Sequence, residues 1–357
     1  MPELPAPVRS LGRRGFLAGT LAVGAGAALA ACTSNTPPPA AAPATAPAGG
    51  AGASTEPGRP VTIGFSAPAA DHGWIAAIAA NAQAQAAKYP DVTFAPVNPT
   101  NDITQQIAAI DTLINRKVDA LVILPNDGSQ LTSQGTKAMQ AGIPVINLDR
   151  IFDSPLAYRS WIGGDNYGMG VSAGNYIGTQ LKQRNVSNPI IAEIAGIDSL
   201  PLTQERSRGF KDAWRRTGSR SGRGRRRTSR RRAASASPRT SCRPHPRLDA
   251  VWNHDDDQGV GVLAAIQQAN RSEFFMVGGA GSANAMRAIQ ADNTVLKATV
   301  TYPPTMAGSA VALARLVAQG RGMSDLVEQE VPASITLASA TVTKDNVGQY
   351  LPLGFES

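Results

Sequence analysis

Residues 120–150 read "ALVILPNDGSQLTSQGTKAMQAGIPVINLDR" and contain one complete strand, helix and strand. The run "ALVILP" is continuously apolar, "SQLTSQGTKAMQAG" has helical spacing and ends at Gly142, and "IPVINLDR" returns to an apolar strand. Strands without polar alternation are buried on both faces, which is typical of a parallel sheet covered by helices. The stretch therefore predicts an α/β fold with a doubly wound parallel sheet.

The same alternation extends in both directions from this stretch. Upstream, "VTIGFSA" and "VTFAPV" are strand-like and are separated by the helical segment "WIAAIAANAQAQAAKY". Downstream, the pattern restarts at "MGVSAGNYIGTQLKQ" and runs to the strand "VLKATVTY". We expect two doubly wound parallel-sheet domains joined by a hinge, the first formed by residues 60–164 plus about 303–333 and the second by residues 165–302 plus about 334–357.

Polar and aromatic residues follow several of these strands at their carboxyl ends. In open parallel sheets, ligands bind beyond those ends. Carboxylates and guanidinium groups suit the hydroxyls of a sugar, and aromatic rings suit its apolar faces. The candidate ligand-binding residues at strand ends are Asp71, His72, Trp74, Asp149, Arg150, Asp255 and Tyr302.

The N-terminus has the order of features found in an exported lipoprotein. Residues 1–31 carry the pair Arg13-Arg14 and then a run of small apolar residues that is shorter than the roughly 20 residues of a membrane-spanning helix. Cys32 follows "LAA", as in a lipidation site. Residues 32–59 are rich in Pro, Ala and Gly and predict a flexible tether. We expect an exported protein that is lipid-anchored on the outer face of the cell membrane or in the periplasm, the alternative being a buried cysteine after an Ala-rich helix.

From residue 60 onward, the motifs resemble those of the ribose-type periplasmic sugar-binding proteins, the type I substrate-binding components of ABC importers. The segments that carry the resemblance are "PVINLDR", "WIGGDN" near Asp165, "ERSRGF" and "VWNHDDDQGVG". The resemblance implies that Asp149 and Arg150 clamp sugar hydroxyls and that Arg206 is a second sugar-binding arginine. It also implies that Asp255 replaces a hydroxyl-binding amide and that Trp74 stacks on the sugar ring.

Four positions are less typical of that family. Asp71 and His72 stand where the family uses amides, and Tyr302 stands where ribose binders use an amide. Ala280 replaces an aspartate that binds sugar in many members. These differences argue against ribose itself more than against the family.

The resemblance implies a binding protein without a cofactor, which captures a sugar or related polyol by hinge closure. Its partners would be ABC permease subunits, and the protein would be a monomer. A sensory role, in which the bound ligand is presented to a membrane receptor, is the alternative, because both roles use the same closed surface.

Each candidate residue also has a structural interpretation. Asp255, with Asp256 and Asp257, is compatible with a helix N-cap cluster. Trp74 is compatible with a core residue, His72 with a solvated loop, and Asp149-Arg150 with a surface pair.

Other classes of function lack their sequence signals. The chain has three histidines, no GxSxG elbow, no GxxxxGK[ST] loop and no cysteine pair with metal-ligand spacing, so an enzyme is disfavoured. A metal at His254 with residues 255–257 is the remaining metal hypothesis. A repressor would need a helix-turn-helix at the N-terminus, where this chain has a signal and a tether.

Residues 215–244 do not match the rest of the chain. Twelve of these thirty residues are Arg, and without them the 34 basic residues fall to 22 against 26 acidic residues, so the net charge of +8 becomes −4. A nucleic-acid-binding arm is disfavoured because the stretch has no aromatic residue and the chain is predicted to be exported. A shifted reading frame permits "ENILQA" across Pro238 to Pro244, which is typical of a helix. We interpret residues 215–244 as read out of frame, with a base missing near Trp214 to Thr217 and one added near Pro244.

Overall fold

The computed structural model describes residues 56–218, 247–323 and 330–357. The predicted signal segment, Cys32, the predicted tether up to residue 55 and residues 219–246, which include most of the Arg-rich stretch, lie outside the described residues. The described chain forms two sheets dominated by parallel strands, which confirms the predicted two-domain α/β fold. Among the described residues, no helix is both long and apolar enough to cross a membrane.

The first sheet has six parallel strands in the order β10-β5-β4-β3-β1-β2. All four residues of β3 and all four of β4 are buried, because helices cover both faces of the sheet. The strands are β1 (Val61–Ser66), β2 (Val92–Pro96), β3 (Ala120–Ile123), β4 (Val145–Leu148), β5 (Ser160–Gly164) and β10 (Ser334–Leu337).

Successive residues of β3 point to opposite faces of this sheet. Val122 joins the core beneath two helices, α1 and α8, whereas Leu121 and Ile123 join the core beneath α2 and α3. The four helices are α1 (Gly73–Ala86), α2 (Ile103–Asn115), α3 (Gly128–Gln140) and α8 (Met306–Ala318).

The second sheet has five strands in the order β11-β9-β8-β7-β6, of which only β11 is antiparallel to its neighbour. Trp252 packs under α4 and α5, and its neighbour Val251 packs under α6 and α7. The strands are β6 (Ile191–Ile194), β7 (Ala250–Asn253), β8 (Phe275–Ala280), β9 (Leu296–Thr301) and β11 (Thr341–Thr343). The helices are α4 (Asn166–Gln183), α5 (Pro201–Gly218), α6 (Asp256–Gln268), α7 (Ala283–Ala291) and α9 (Val347–Tyr350). Two short 3₁₀ turns lie at Pro155–Ala157 and Leu351–Leu353.

In the described part of the chain, the polypeptide passes from one sheet to the other three times, after Gly164, after Thr301 and after Leu337. The sequence placed the third change of domain at about residue 333. The difference arises because Ser334–Leu337 pairs in register with β5 and so remains in the first sheet. We call the parts built on the first and second sheets the first and second lobes.

Residues 56–60, which we call the N-terminal strap, are bound to the first lobe. The sequence assigned residues up to 59 to a flexible tether. The structure instead holds them, because Asp91 Oδ2 accepts the N–H of Gly58 at 2.6 Å and Arg315 Nη2 donates to the carbonyl of Glu56 at 2.5 Å. Gln319 Nε2 donates to the carbonyl of Arg59 at 2.8 Å. The buried pair of Arg315 and Asp91, at 2.7 Å, therefore fixes the point where the chain enters the fold.

Candidate ligand-binding site

At the carboxyl ends of the two sheets, Tyr302 contacts three other candidate residues: Trp74, Asp149 and Arg206. These ends are where ligands bind in parallel sheets. Asp149 belongs to the first lobe and Arg206 to the second, so the contacts of this group connect the lobes. The four are therefore the centre of the candidate site.

Asp149 directly follows β4 and is only 6% exposed. Its φ of 61° lies in the left-handed region, which aspartate tolerates better than most residues. The backbone is fixed on both sides, because its N–H donates to the carbonyl of Ile162 and its carbonyl accepts from Trp161 Nε1, each at 2.9 Å. Oδ1 accepts the hydroxyl of Tyr302 at 2.5 Å. The backbone of Asp149 is thus held in place, and its carboxylate points toward Tyr302.

Arg150 is adjacent in sequence but turns to a different partner. Its Nη1 donates to the carbonyl of Asn126 at 2.7 Å and that of Pro125 at 3.3 Å, in the loop after β3. Its Nε is buried and has no hydrogen-bond partner among the described residues. An unpaired buried donor calls for a partner, which makes this nitrogen a candidate to bind a ligand oxygen.

Arg206 lies in α5 and is 7% exposed. Its Nε donates to Asn166 Oδ1 at 2.9 Å, and its Nη1 donates to the carbonyl of His254 at 3.2 Å. The close packing of α4 on α5 sets its position, since a Cβ on Gly170 would come 2.0 Å from the carbonyl oxygen of Arg206. The guanidinium lies 4.7 Å over the ring of Tyr302, a cation–π geometry.

Trp74 is 6% exposed and belongs to the same core cluster as the interior of the first lobe. Its Nε1 donates to the carbonyl of Tyr302 at 2.9 Å, and the two rings lie 5.8 Å apart at 45°. The structure thus gives Trp74 a packing role at the edge of the site. Stacking of a sugar on its ring remains a prediction.

Asp71 and His72 lie outside this central group. Asp71 is exposed, and its Oδ1 pairs with Nδ1 of the half-buried His72. His72 precedes α1 but makes no side-chain cap for that helix. The pair is therefore more exposed than the central group.

Asp255 caps α6, as in the structural interpretation of the sequence. Its Oδ1 accepts the N–H of Asp257 at 2.8 Å and the N–H of Gln258 at 3.4 Å. Burial, followed by the negative charge of Asp257, raises the pKa of Asp255. One carboxylate oxygen serves the helix, so a ligand role for Asp255 depends on the other.

Asp256 is a buried residue whose role the sequence did not indicate. Its carboxylate accepts the N–H groups of Gly279, Gly281 and Ser282 at 2.8 to 3.0 Å and the hydroxyl of Thr299. Burial raises its pKa to about 7. The signal for this role was the turn "GGAGS", where Ala280 and Gly281 adopt φ of 85° and 79° and leave backbone donors in need of an acceptor.

Asn166, at the start of α4, is a second residue that sequence reasoning missed. Its Nδ2 donates to the hydroxyl of Tyr302 at 3.2 Å, and its Oδ1 accepts from Arg206. A continuous chain of hydrogen bonds therefore runs from Asp149 through Tyr302, Asn166 and Arg206 to the carbonyl of His254. "WIGGDN" had pointed to the neighbouring Asp165, whose Oδ1 caps α4 through the N–H of Gly168 at 2.7 Å.

His254 does not form a metal site with the aspartates that follow it. In the described ranges, no group of three or more His, Cys, Asp or Glu residues is placed to hold a metal ion. His254 Nε2 contacts Glu193 Oε1 at 3.0 Å, and its ring packs on Trp252. Burial lowers the pKa of His254, which keeps the imidazole neutral at ordinary pH.

Residues 63–322 match the family model described as "Periplasmic binding protein domain". The ribose import binding protein RbsB of Bacillus subtilis is 26% identical over 215 residues, which are 59% of this chain and 67% of that protein. The D-ribose/D-allose-binding protein of Pseudomonas aeruginosa is 27% identical over 205 residues, 56% of this chain and 63% of that protein.

Solved structures give the same fold over most of the chain. A solute-binding protein of an ABC transporter from Bacillus halodurans, with bound myo-inositol, superposes with a TM-score of 0.65 at 20% identity and covers 83% of this chain and 99% of that one. One from Mycobacterium smegmatis, with bound glycerol, has a TM-score of 0.65 at 24% identity and covers 84% and 99%. The fructose-binding periplasmic domain of a hybrid two-component system has a TM-score of 0.65 at 25% identity and covers 82% and 93%.

Proposed function

The chain belongs to the periplasmic binding protein domain family, and we propose that it captures a sugar or related polyol outside the cytoplasm and delivers it to an ABC permease. The observation that carries this proposal is that Asp149 and Arg206, from opposite lobes, both contact Tyr302, whose ring packs beside Trp74. Charged hydrogen-bonding groups next to apolar ring surface are what a neutral, hydroxyl-rich ligand requires. The two relatives described above are named as binding proteins for ribose and for ribose or allose, which supports a sugar as the ligand.

Capture would occur by closure of the two lobes about a hinge formed by the three segments that connect them, after Gly164, Thr301 and Leu337. Ligand oxygens would bind Asp149 and the unpaired Nε of Arg150 in the first lobe and Arg206 in the second. A ligand that contacts both lobes stabilises only the closed arrangement, so binding energy drives closure. We propose that Asp71 and His72, which are more exposed than the central group, also contact the ligand on closure.

The test is a thermal-shift screen of the mature protein against pentoses, hexoses and polyols at millimolar concentration, followed by calorimetry. We expect at least one ligand to raise the Tm, and we expect Asp149→Asn to weaken its binding about tenfold or more. Asp111→Asn is the matched control, because Asp111 pairs with Lys137 on the exposed side of α2. A screen without any stabilising ligand would exclude a sugar-binding role.

Lipid anchoring is a separate part of the proposal. We propose that Cys32 is acylated and becomes the first residue of the mature chain, with residues 32–55 as tether, a monomeric body, and ABC permease subunits as partners. Labelling of cells with a fatty-acid analogue should mark the wild type and spare Cys32→Ser. Labelling of both, or of neither, would refute it.

A sensory role is the second candidate, because the fructose-binding neighbour belongs to a two-component system. Deletion of the genes for the ABC permease that imports the identified ligand distinguishes the two. A transport protein loses ligand uptake in that background, whereas a sensory protein keeps its ligand-dependent output.

A further inference from the structure

Tyr302 has every polar group satisfied by the protein. Its side chain is 2% exposed, and its hydroxyl donates to Asp149 Oδ1 at 2.5 Å while accepting from Asn166 Nδ2 at 3.2 Å. Its N–H donates to the carbonyl of Ala280 at 3.0 Å, and its carbonyl accepts from Trp74 Nε1. A hydroxyl bound on both sides has little left to offer a ligand.

The ring of Tyr302 packs directly against Gly164, where the chain first passes from one lobe to the other. A Cβ on Gly164 would come 2.1 Å from Cε2 of the ring, so any side chain at position 164 would displace it. One face of the ring lies under the guanidinium of Arg206, and Trp74 packs beside it. The ring is therefore packed on both sides by protein groups, and its hydroxyl points at Asp149.

The hydroxyl takes one of the two hydrogen-bonding oxygens of Asp149. Burial and the negative charge of Asp149 raise the pKa of Tyr302, so the hydroxyl stays protonated and remains a donor. A donor to a carboxylate makes a stronger bond than a donor to a neutral group. A ligand hydroxyl that approaches the same oxygen must compete with it.

We propose that Tyr302 is a specificity-determining residue whose hydroxyl replaces one ligand hydroxyl at Asp149, so that the site selects a deoxy sugar or a small polyol over its fully hydroxylated counterpart. This inference rests on the proposed sugar-binding function. It assigns Asp149 Oδ2, Arg150 and Arg206 to the ligand and Oδ1 to the protein.

The test compares Tyr302→Phe with the wild type by calorimetry on three pairs: D-ribose and 2-deoxy-D-ribose, D-galactose and D-fucose, and myo-inositol and a monodeoxy inositol. Phenylalanine keeps the packing of the ring and removes only the hydroxyl, which leaves space for one ligand oxygen beside Asp149. For at least one pair, the Kd of the hydroxylated member should fall about tenfold relative to that of its deoxy partner. Tyr176→Phe is the control, because Tyr176 packs on Phe275 in the second lobe, and it should leave the ratios unchanged.

Two opposite results overturn the inference. If Tyr302→Phe weakens both members of every pair that binds, the hydroxyl contacts the ligand directly. If the ratios stay as in the wild type while the Tm falls, Tyr302 has only a structural role. Failure of the wild type to bind any of the six probes or any sugar or polyol of the wider screen would instead reject the sugar-binding function itself.

Discussion

Asp257 of the second lobe caps helix α1 of the first lobe, because its Oδ2 accepts the N–H of Trp74 at 2.9 Å. The N-cap residue of this helix, His72, makes no side-chain cap of its own. A helix N-terminus attracts negative charge. The start of α1 is therefore completed only when the lobes meet.

Removal of this cap should shift the lobes toward the open arrangement. Asp257→Ala loses a cap worth about 1 kcal/mol, so we expect the Kd for a bound sugar to rise about fivefold. Paired labels on the two lobes should report a longer distance. Asp102→Ala is the control, since Asp102 caps α2 within the first lobe through the N–H of Gln105. Equal effects of both variants on Kd would argue against a role in closure.

Loss of the buried ion pair at the N-terminal strap should destabilise the first lobe. Asp91→Asn leaves the guanidinium of Arg315 buried without its carboxylate, and a change of this kind costs about 3 kcal/mol. Urea unfolding followed by tryptophan fluorescence measures it. Asp111→Asn, on the exposed surface, should cost less than about 1 kcal/mol. A cost of that small size for Asp91→Asn would show that the strap contributes little to stability.

Acid should destabilise the second lobe through His254. Burial lowers the pKa of this residue, so the folded state binds fewer protons than the unfolded state, whose value is 6.5. The free energy of unfolding therefore falls as the pH drops below about 6.5, down to the lowered pKa. His254→Asn should show a shallower decline than the wild type between pH 7.5 and 5. Parallel curves for the two proteins would contradict this assignment.

A methyl group at position 164 should disturb Tyr302. Gly164→Ala places its Cβ 2.1 Å from the ring and should cost about 1–3 kcal/mol. The double variant with Tyr302→Ala should cost less than the sum of the single variants, because the clash disappears. Gly348→Ala, with nothing within 4 Å, should be close to neutral. If the costs of the two single variants simply add in the double variant, the methyl group at position 164 does not act through the ring of Tyr302.

We propose that residues 215–244 are read out of frame, and a corrected gene tests this. The described part of the stretch ends with α5 at Gly218, and the remainder lies outside the described residues. A corrected protein should have a higher Tm, since thirty residues without branched aliphatic or aromatic side chains add no core. An unbroken frame in the gene, together with peptides of the Arg-rich stretch in mass spectra, would refute the interpretation.

The strands and helices were predictable because their signals are local. The apolar run of β3 and the helical spacing that ends at Gly142 determine their elements without reference to the rest of the chain. Asp149 was selected as a candidate for the same reason, because it follows a buried strand. The contact of Trp74 with Asp257 was missed because it joins residues 183 positions apart in different lobes. The burial of Tyr302 was missed because it depends on the absence of a side chain at Gly164.

The N-terminal strap has a mechanical consequence. Tension applied to the chain ahead of Glu56 passes into Arg315, Gln319 and Asp91, all within the first lobe. None of the strap's described hydrogen bonds ends in the second lobe. If the chain is lipid-anchored as proposed, a pull on the tether would thus enter the protein through the first lobe alone, and the strap would transmit no force directly to the second.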